Sequence, residues 1–472
     1  DELMSTVAKK IMMGSGAVDA YEIEQSLIFN KASSAKLERT PSSGGNRRTF
    51  TISTWFKIGE AAVSNYSYYL FGAHVNGQNN DNSFFSVIFY NGDLRVSGWN
   101  QNWLRTNRVF RDHSAWYHVV VAVDTTSGTA NNRVRIYING VEETSFAVRN
   151  NPSQNFDFPV NRVSYPQTVG SVSYASAKYW DGYMAEYHLI DGTALTPSSF
   201  GETNSDTGQW IPKRYTGGNY GTNGYYLKFA SGAIGTDSSG NSNTMTVANL
   251  ANHDVVIDTP TNNFATLNPL PSASSAIVMS QGNLHAVQRA GGITNGQQNV
   301  STIAMPTGSG KWYFEMYQPY SGLGYLFGIT PTSENPTLGS SGNLGYNQYN
   351  ASGGKQYATE SRTDYGTAWY TSGQTYIISC YYDSDNGKIG YYMNGTDQGF
   401  AFTDVVAGTY FASYRCGSGG TGSAPTTANF GQNGTFGGAV TAQGNADTNG
   451  IGDFYYAPPS GYKALCTANL PD

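Results

Sequence analysis

The chain has 472 residues, of which 13% are charged and 14% aromatic, with 35 Tyr and 56 Gly. So few charges beside so many aromatics exclude a disordered chain, which does not carry this many rings, and argue against a cytosolic helical enzyme. A formal net charge of −6 with scattered Lys and Arg argues against a nucleic-acid binder, which needs a concentrated basic field to displace counterions.

A length of this order predicts two domains. Residues 1–24 are small and mixed and predict a short arm. From about Gln25 the hydrophobic period becomes two, the mark of half-buried strands. TFTISTWFKI (49–58) sets Phe50, Ile52, Phe56 and Ile58 against Trp55; WYHVVVAVD (116–124) aligns Tyr117, Val119, Val121 and Val123. VRIYI (134–138) follows, and GYMAEYHLI (182–190) predicts Tyr183, Ala185, Tyr187 and Leu189 on one face against Met184, Glu186, His188 and Ile190. Asn-Gly and Asp-Gly pairs separate the runs, as at Asn139-Gly140, and support the positive φ that tight hairpins demand.

Residues 203–270 read as transitional, with one strand in YYLKFA (225–230). A polar, Pro-containing stretch places a linker at 256–275 that hugs the surface through Phe264 and Leu267. The pattern restarts in KWYFEMY (311–317), with Trp312, Phe314 and Met316 opposite Tyr313, Glu315 and Tyr317. It continues in TYIISCYYD (375–383), KIGYYM (388–393), where Asn394-Gly395 repeats the hairpin signal, and TYFASYR (409–415). The division expected is an arm at 1–24, a sandwich at 25–255, a linker at 256–275 and a second sandwich at 276–472, all-β and antiparallel. Of three dispersed cysteines, Cys380, Cys416 and Cys466, one pair could bridge, but buried free thiols are the expectation. No apolar run of transmembrane or signal-peptide length is present, so neither membrane insertion nor ordinary export is expected.

The set SLIFN (26–30), TISTWFK (51–57), WYHVVVAVD, VRIYINGVEE (134–143) and YWDGYMAEYHLIDGTALTPSSFGE (179–202) resembles the laminin-G/concanavalin-A-like jelly roll, in the version found in virion and tail-fibre-like proteins of marine bacteriophages. MSTVAKKIMMGSGAVDAYEIEQSL (4–27) and DTPTNNFATLNPL (258–270) resemble the same phage group. GKWYFEM (310–316), YYDSDNGKIGYYMNGTDQGFAF (381–402), ANFGQNGTF (428–436) and APPSGYKAL (457–465) resemble a SPRY-type sandwich. The resemblance implies a structural protein of the virion surface, either tail fibre and host adhesin or capsid decoration. It would be assembled in the host cytoplasm, docked to other virion proteins through the N-terminal arm, and present as a homo-oligomer or in many copies.

Chemistry is sparse. Jelly-roll glycosidases need two carboxylates facing one bond. Glu142 and Glu143 are adjacent and diverge on a strand, Glu22 and Glu24 precede the sandwich, and Glu186 stands alone in its strand. An enzyme is therefore not expected, and a polysaccharide-degrading jelly roll ranks below decoration without a ligand. His113 and His118 flank Trp116 without further nearby ligands and read as solvent-facing or hydrogen-bonded rather than metal-bound. Asp81, Asp181 and Asp191 are candidates for a loop-edge Ca2+, since concanavalin-like sandwiches often hold one. For binding, Trp99, Asn100, Asn102, Trp103 and Arg105 in SGWNQNWLRTNR (97–108) offer rings for sugar C–H faces and amides for hydroxyls. The leading reading there is that both indoles pack under the rim or meet a neighbouring subunit; the alternative, carried as the candidate ligand site, is a weak multivalent contact with host-surface polysaccharide or protein. YNQYNASGGKQY (346–357) has the same character.

Overall fold

The structure, a computed structural model, describes residues 21–59, 66–173, 178–270, 277–288, 298–319, 325–333, 344–347, 354–357, 363–369, 371, 373–416 and 424–471. The period-two runs form the strands they predict. Thr49–Ile58 buries Phe50, Ile52 and Phe56 between two sheets and turns Trp55 to the opposite face. Trp116–Asp124 and Val134–Ile138 do the same with Val119, Val121 and Val123 and with Val134, Ile136 and Ile138.

These strands belong to the front sheet of the first sandwich, in the order Val141–Glu142, Val134–Ile138, Trp116–Asp124, Thr49–Ile58, Gly182–Asp191, Ser26–Phe29 and Val255–Val256, with Tyr225–Leu227 also on Gly182–Asp191. The back sheet runs Phe146–Arg149, Asn102–Val109, Asp93–Ser97, Phe84–Tyr90, Ser67–His74, Gln167–Val169, Lys36–Arg39 and Thr246–Ala248. The second sandwich pairs a sheet centred on Lys311–Pro319 and Thr375–Asp383 with one centred on Thr409–Cys416 and Tyr325–Pro331. Trp312, Phe314 and Met316 fill its core, as their alternation predicts. The fold is all-β, with two sandwiches in tandem, and Cys380 and Cys466 are buried free thiols.

The two Asn-Gly phrases have one geometry. Asn139 and Asn394 take φ +48° and +47°, and Gly140 and Gly395 take +81° and +79°. Each asparagine accepts a backbone N–H through its side chain, from His118 at 2.7 Å and from Ile377 at 2.8 Å. Each glycine also lies under an aromatic ring brought from far along the chain: a Cβ on Gly140 would stand 2.5 Å from Trp210, and one on Gly395 2.7 Å from Tyr456.

Gly182–Asp191 departs from its predicted alternation. A β-bulge between Ala185 and His188 holds Glu186 at φ +49°, in the left-handed region. The extra residue shifts the phase, so Met184, Tyr187 and Leu189 face the core. Ala185 instead joins Trp55 on the other face, and Tyr183 joins the core of the second sandwich.

Residues 255–270 belong to both halves. Val255–Val256 extends the front sheet, Phe264 is fully buried under the outer layer of the second sandwich, and Leu267 enters its core. Asp258 carries the join. Its Oδ2 lies 2.9 Å from Lys57 Nζ, both side chains being fully buried. The ammonium also donates to Asn263 Oδ1 at 2.7 Å and the Phe264 carbonyl at 3.1 Å, so its three protons all find acceptors. Asp258 Oδ1 accepts from Trp116 Nε1 at 3.0 Å and from the Phe264 N–H at 3.2 Å. Alongside, Tyr183 donates to the Gly282 carbonyl and Asn283 Nδ2 to the Gly59 carbonyl, each at 2.7 Å.

Tyr313 and Glu315 point away from the second core, yet both are fully buried, because residues 430–466 cover that face. Glu315 accepts from the Tyr313 hydroxyl, the Asn429 amide and the N–H groups of Tyr455 and Tyr456. Burial outweighs these donors and pushes its carboxyl up to about 7. A folded-state value above the unfolded one near 4.5 makes its contribution to stability complete below pH 4.5 and lost as pH rises towards 7, a change of about 3 kcal/mol. Denaturation midpoints across this range are expected to fall in the parent and to flatten in Glu315→Gln; an unchanged slope would assign the effect to other carboxyls, such as buried Asp181.

Candidate functional site

The stretch singled out for sugar binding does not form one recognition face. Trp103 is only 6% exposed and packs among Phe156 and Phe158 in the first core, which corrects its reading as a sugar platform, because no ring face is left to a ligand. Arg105 donates to Asp93 at 2.7 Å, and Asn102 accepts from the Ser97 hydroxyl at 2.9 Å. Trp99 is half-buried and stacks on His74 with ring centres 5.6 Å apart; Asn100 beside it is exposed. Residues 348–353 of the second stretch, and residues 1–20 of the arm, lie outside the described residues.

The three aspartates offered for Ca2+ act as loop ties. Asp81 accepts from the Trp99 N–H and Gln101 Nε2, and Asp191 from the N–H groups of Asn46 and Asn223 and from Asn161 Nδ2. Asp181 is buried against the Lys31 N–H at 3.3 Å, and burial pushes its carboxyl up to about 6. The structure does not bring the three into a common metal-binding group: no cluster of three or more His, Cys, Asp or Glu placed to hold a metal occurs among the described residues.

The geometry instead points to the outer face of the front sheet, where it meets the seam between the sandwiches. A cleft of about 710 Å³ opens there, within the size range of small-ligand sites. Trp55 forms part of its floor and half-buried Trp116 and Trp210 its walls; Pro260, Thr261 and Thr467 close the seam side. Trp210 belongs to the hairpin of Gly201–Thr203 and Trp210–Pro212, which folds over the sheet. Its indole fits only because Gly140 and Gly201 lack side chains: a Cβ on either would lie 2.5 Å from the ring.

His118 fixes that indole. Trp210 Nε1 can only donate, and it lies 3.1 Å from His118 Nδ1; Nε2 therefore carries the proton and donates to Ser53 Oγ at 2.9 Å. Burial, with His188 nearby, pushes the imidazole down to about 3, so the ring stays neutral over the ordinary pH range. Trp55, His118 and Trp210 stack in sequence, with ring centres 4.8 and 6.1 Å apart.

Polar groups around the cleft remain unengaged. Asn139 and Asn204 accept backbone N–H bonds through their oxygens. Their Nδ2 groups, and the whole Gln209 side-chain amide, have no partner among the described residues. Glu22 stands at the exposed rim.

Beside the cleft lies a second, smaller pit over the bulge. Glu186 accepts from the Tyr21 hydroxyl at 2.8 Å and from the Tyr226 hydroxyl, and His188 Nε2 lies 3.6 Å away. Burial would raise this carboxyl, but the His188 and tyrosine donors prevail and hold it below the usual carboxylate range. Tyr21 walls both spaces, with Arg214 over its ring at 4.7 Å, and the chain just beyond it is tied to the seam by reciprocal bonds between Ile23 and Thr261.

The cleft had a partial signal in the sequence. Trp55 is an off-phase indole in a core strand, and Asn139-Gly140 is a hairpin signal, but nothing local ties Trp210 to either. The bulge has no local signature, so Glu186 and His188 gave no hint of lying beside a cleft.

A family model described as the concanavalin A-like lectin/glucanases superfamily matches residues 30–199, and the SPRY domain model matches residues 311–429. No curated protein matches the chain. Among solved structures, the SPRY domain of human HERC1 is 16% identical, covering 34% of this chain and 96% of its own, with a TM-score of 0.28. A heptameric SAP-like pentraxin from Limulus polyphemus is 16% identical, covering 38% and 80%, with a TM-score of 0.28. Domain 4 of AbnA, a GH43 extracellular arabinanase from Geobacillus stearothermophilus, in complex with arabinotriose, is 21% identical, covering 34% and 68%, with a TM-score of 0.25. The chain carries a concanavalin A-like domain and a SPRY domain in tandem.

Proposed function

We propose that the protein is a non-catalytic surface component of a bacteriophage particle that contacts host-surface saccharide through the seam cleft. The observation that carries the binding reading is the cleft itself: indole walls beside the Asn139 and Asn204 Nδ2 groups and the Gln209 side-chain amide, which have no partner among the described residues. Sugars present C–H faces that stack on such rings and hydroxyls that both donate and accept. Many copies on one particle would turn weak single contacts into firm attachment. The phage setting rests on the resemblance of residues 4–27 and 258–270 to phage sequences, and on a composition low in charge and rich in Tyr and Gly. The non-catalytic reading is supported by Glu186, whose two oxygens each already accept a tyrosine hydroxyl.

A glycan array probed with the full chain is expected to show reproducible binding that weakens at least about tenfold in Trp210→Ala. Loss in Trp99→Ala instead would return the site to the half-buried rim of the 97–102 turn. Silence across the array favours decoration without a ligand, and release of reducing ends from polysaccharide would favour an enzyme. Antibody-labelled electron micrographs of intact particles test the virion setting separately.

A further inference from the structure

We infer that the seam cleft selects uncharged oligosaccharide and rejects uronate-bearing or sulfated chains. This rests on the saccharide reading above and goes beyond it to the ligand class. Among the described residues no Lys or Arg lines the cleft, and its acidic group is Glu22 at the rim. Cations on neighbouring segments stand outside it. Lys57 is fully buried on Asp258, and Lys213 lies 3.4 Å from Glu202. Arg214 and Lys228 line the adjoining pit, where Arg214 lies over the Tyr21 ring and Lys228 over that of Tyr226.

Binding an anionic sugar requires stripping water from a carboxylate or sulfate, a penalty that only a cation or a dense set of donors offsets. The unengaged groups here are amides: Asn139 and Asn204 offer N–H, and Gln209 offers both a donor and an acceptor. Such groups match the mixed donor and acceptor character of neutral hydroxyls. The Glu22 carboxylate adds an acceptor for a hydroxyl and a repulsion for an anion. His118, beneath the Trp210 wall, contributes no charge, because its ring is neutral and both nitrogens are bonded.

Calorimetric titration of the full chain with neutral hexasaccharides of glucose, mannose, galactose and xylose, and with oligogalacturonate and a sulfated galactan of equal length, tests this. At least one neutral chain is expected to bind about tenfold or more tightly than either anionic one, since like charges without a counterion oppose docking. Gln209→Lys, on an exposed turn, is expected to narrow that gap with folding unaffected. Anionic chains binding as tightly as neutral ones, with Trp210→Ala abolishing both, would overturn the selectivity and leave saccharide binding standing. Binding by none of the probes would overturn both.

Discussion

Replacing Asp258 by alanine is expected to lower stability by about 3–5 kcal/mol, since it leaves the Lys57 ammonium buried without a counterion. The side chain also accepts from Trp116 and from the Phe264 N–H, so the loss reaches both sandwiches. Urea unfolding followed by tryptophan fluorescence is expected to change from one transition in the parent to two in the variant, as the halves lose their common anchor. Lys57→Met combined with Asp258→Ala is expected to recover part of the loss, because no charge then remains buried. A cost below about 1 kcal/mol for the single variant would show that the pair is not a structural bond of this fold.

Gly140→Ala and Gly395→Ala are expected to destabilise alike, by roughly 2–5 kcal/mol. Each forces a side chain into the left-handed region, at about 1–2 kcal/mol, and drives a Cβ against an aromatic ring, at about 1–3 kcal/mol more. Their functional effects diverge. Gly140→Ala displaces Trp210 and with it the wall of the cleft, whereas Gly395→Ala displaces Tyr456, whose N–H serves Glu315. Thermal melts check the first statement and saccharide titration the second. Binding that falls in the Gly140 variant and persists in the Gly395 variant would locate the site; equal loss in both would count against the cleft.

Much of the fold was legible because burial on one face of a strand writes itself as alternation. Phe50, Ile52 and Phe56, and later Trp312, Phe314 and Met316, lie where that period sets them. The rule fails at Ala185 and Glu186, where a bulge adds a residue without any change of composition. It is also blind to what covers an outward face. Glu315 alternates like a solvated residue but is sealed in by residues more than a hundred positions later. Trp99 and Trp103 illustrate the same limit: in one amide-rich stretch, the first lies half-buried on His74 in a turn and the second fills a core from the strand that follows. The candidate site was the least legible part, since Trp55, Trp116, Trp210 and Thr467 meet only in three dimensions.

The shared segment 255–270 has a mechanical consequence. A slack tether between two bodies uncoils before it carries load, and each body points where it will. Here a pull on one half strains a charge pair, two short hydrogen bonds and a common apolar core at the same moment. Force and orientation therefore pass from one half to the other without lag, and a grip taken at the cleft would steer the whole molecule as a lever.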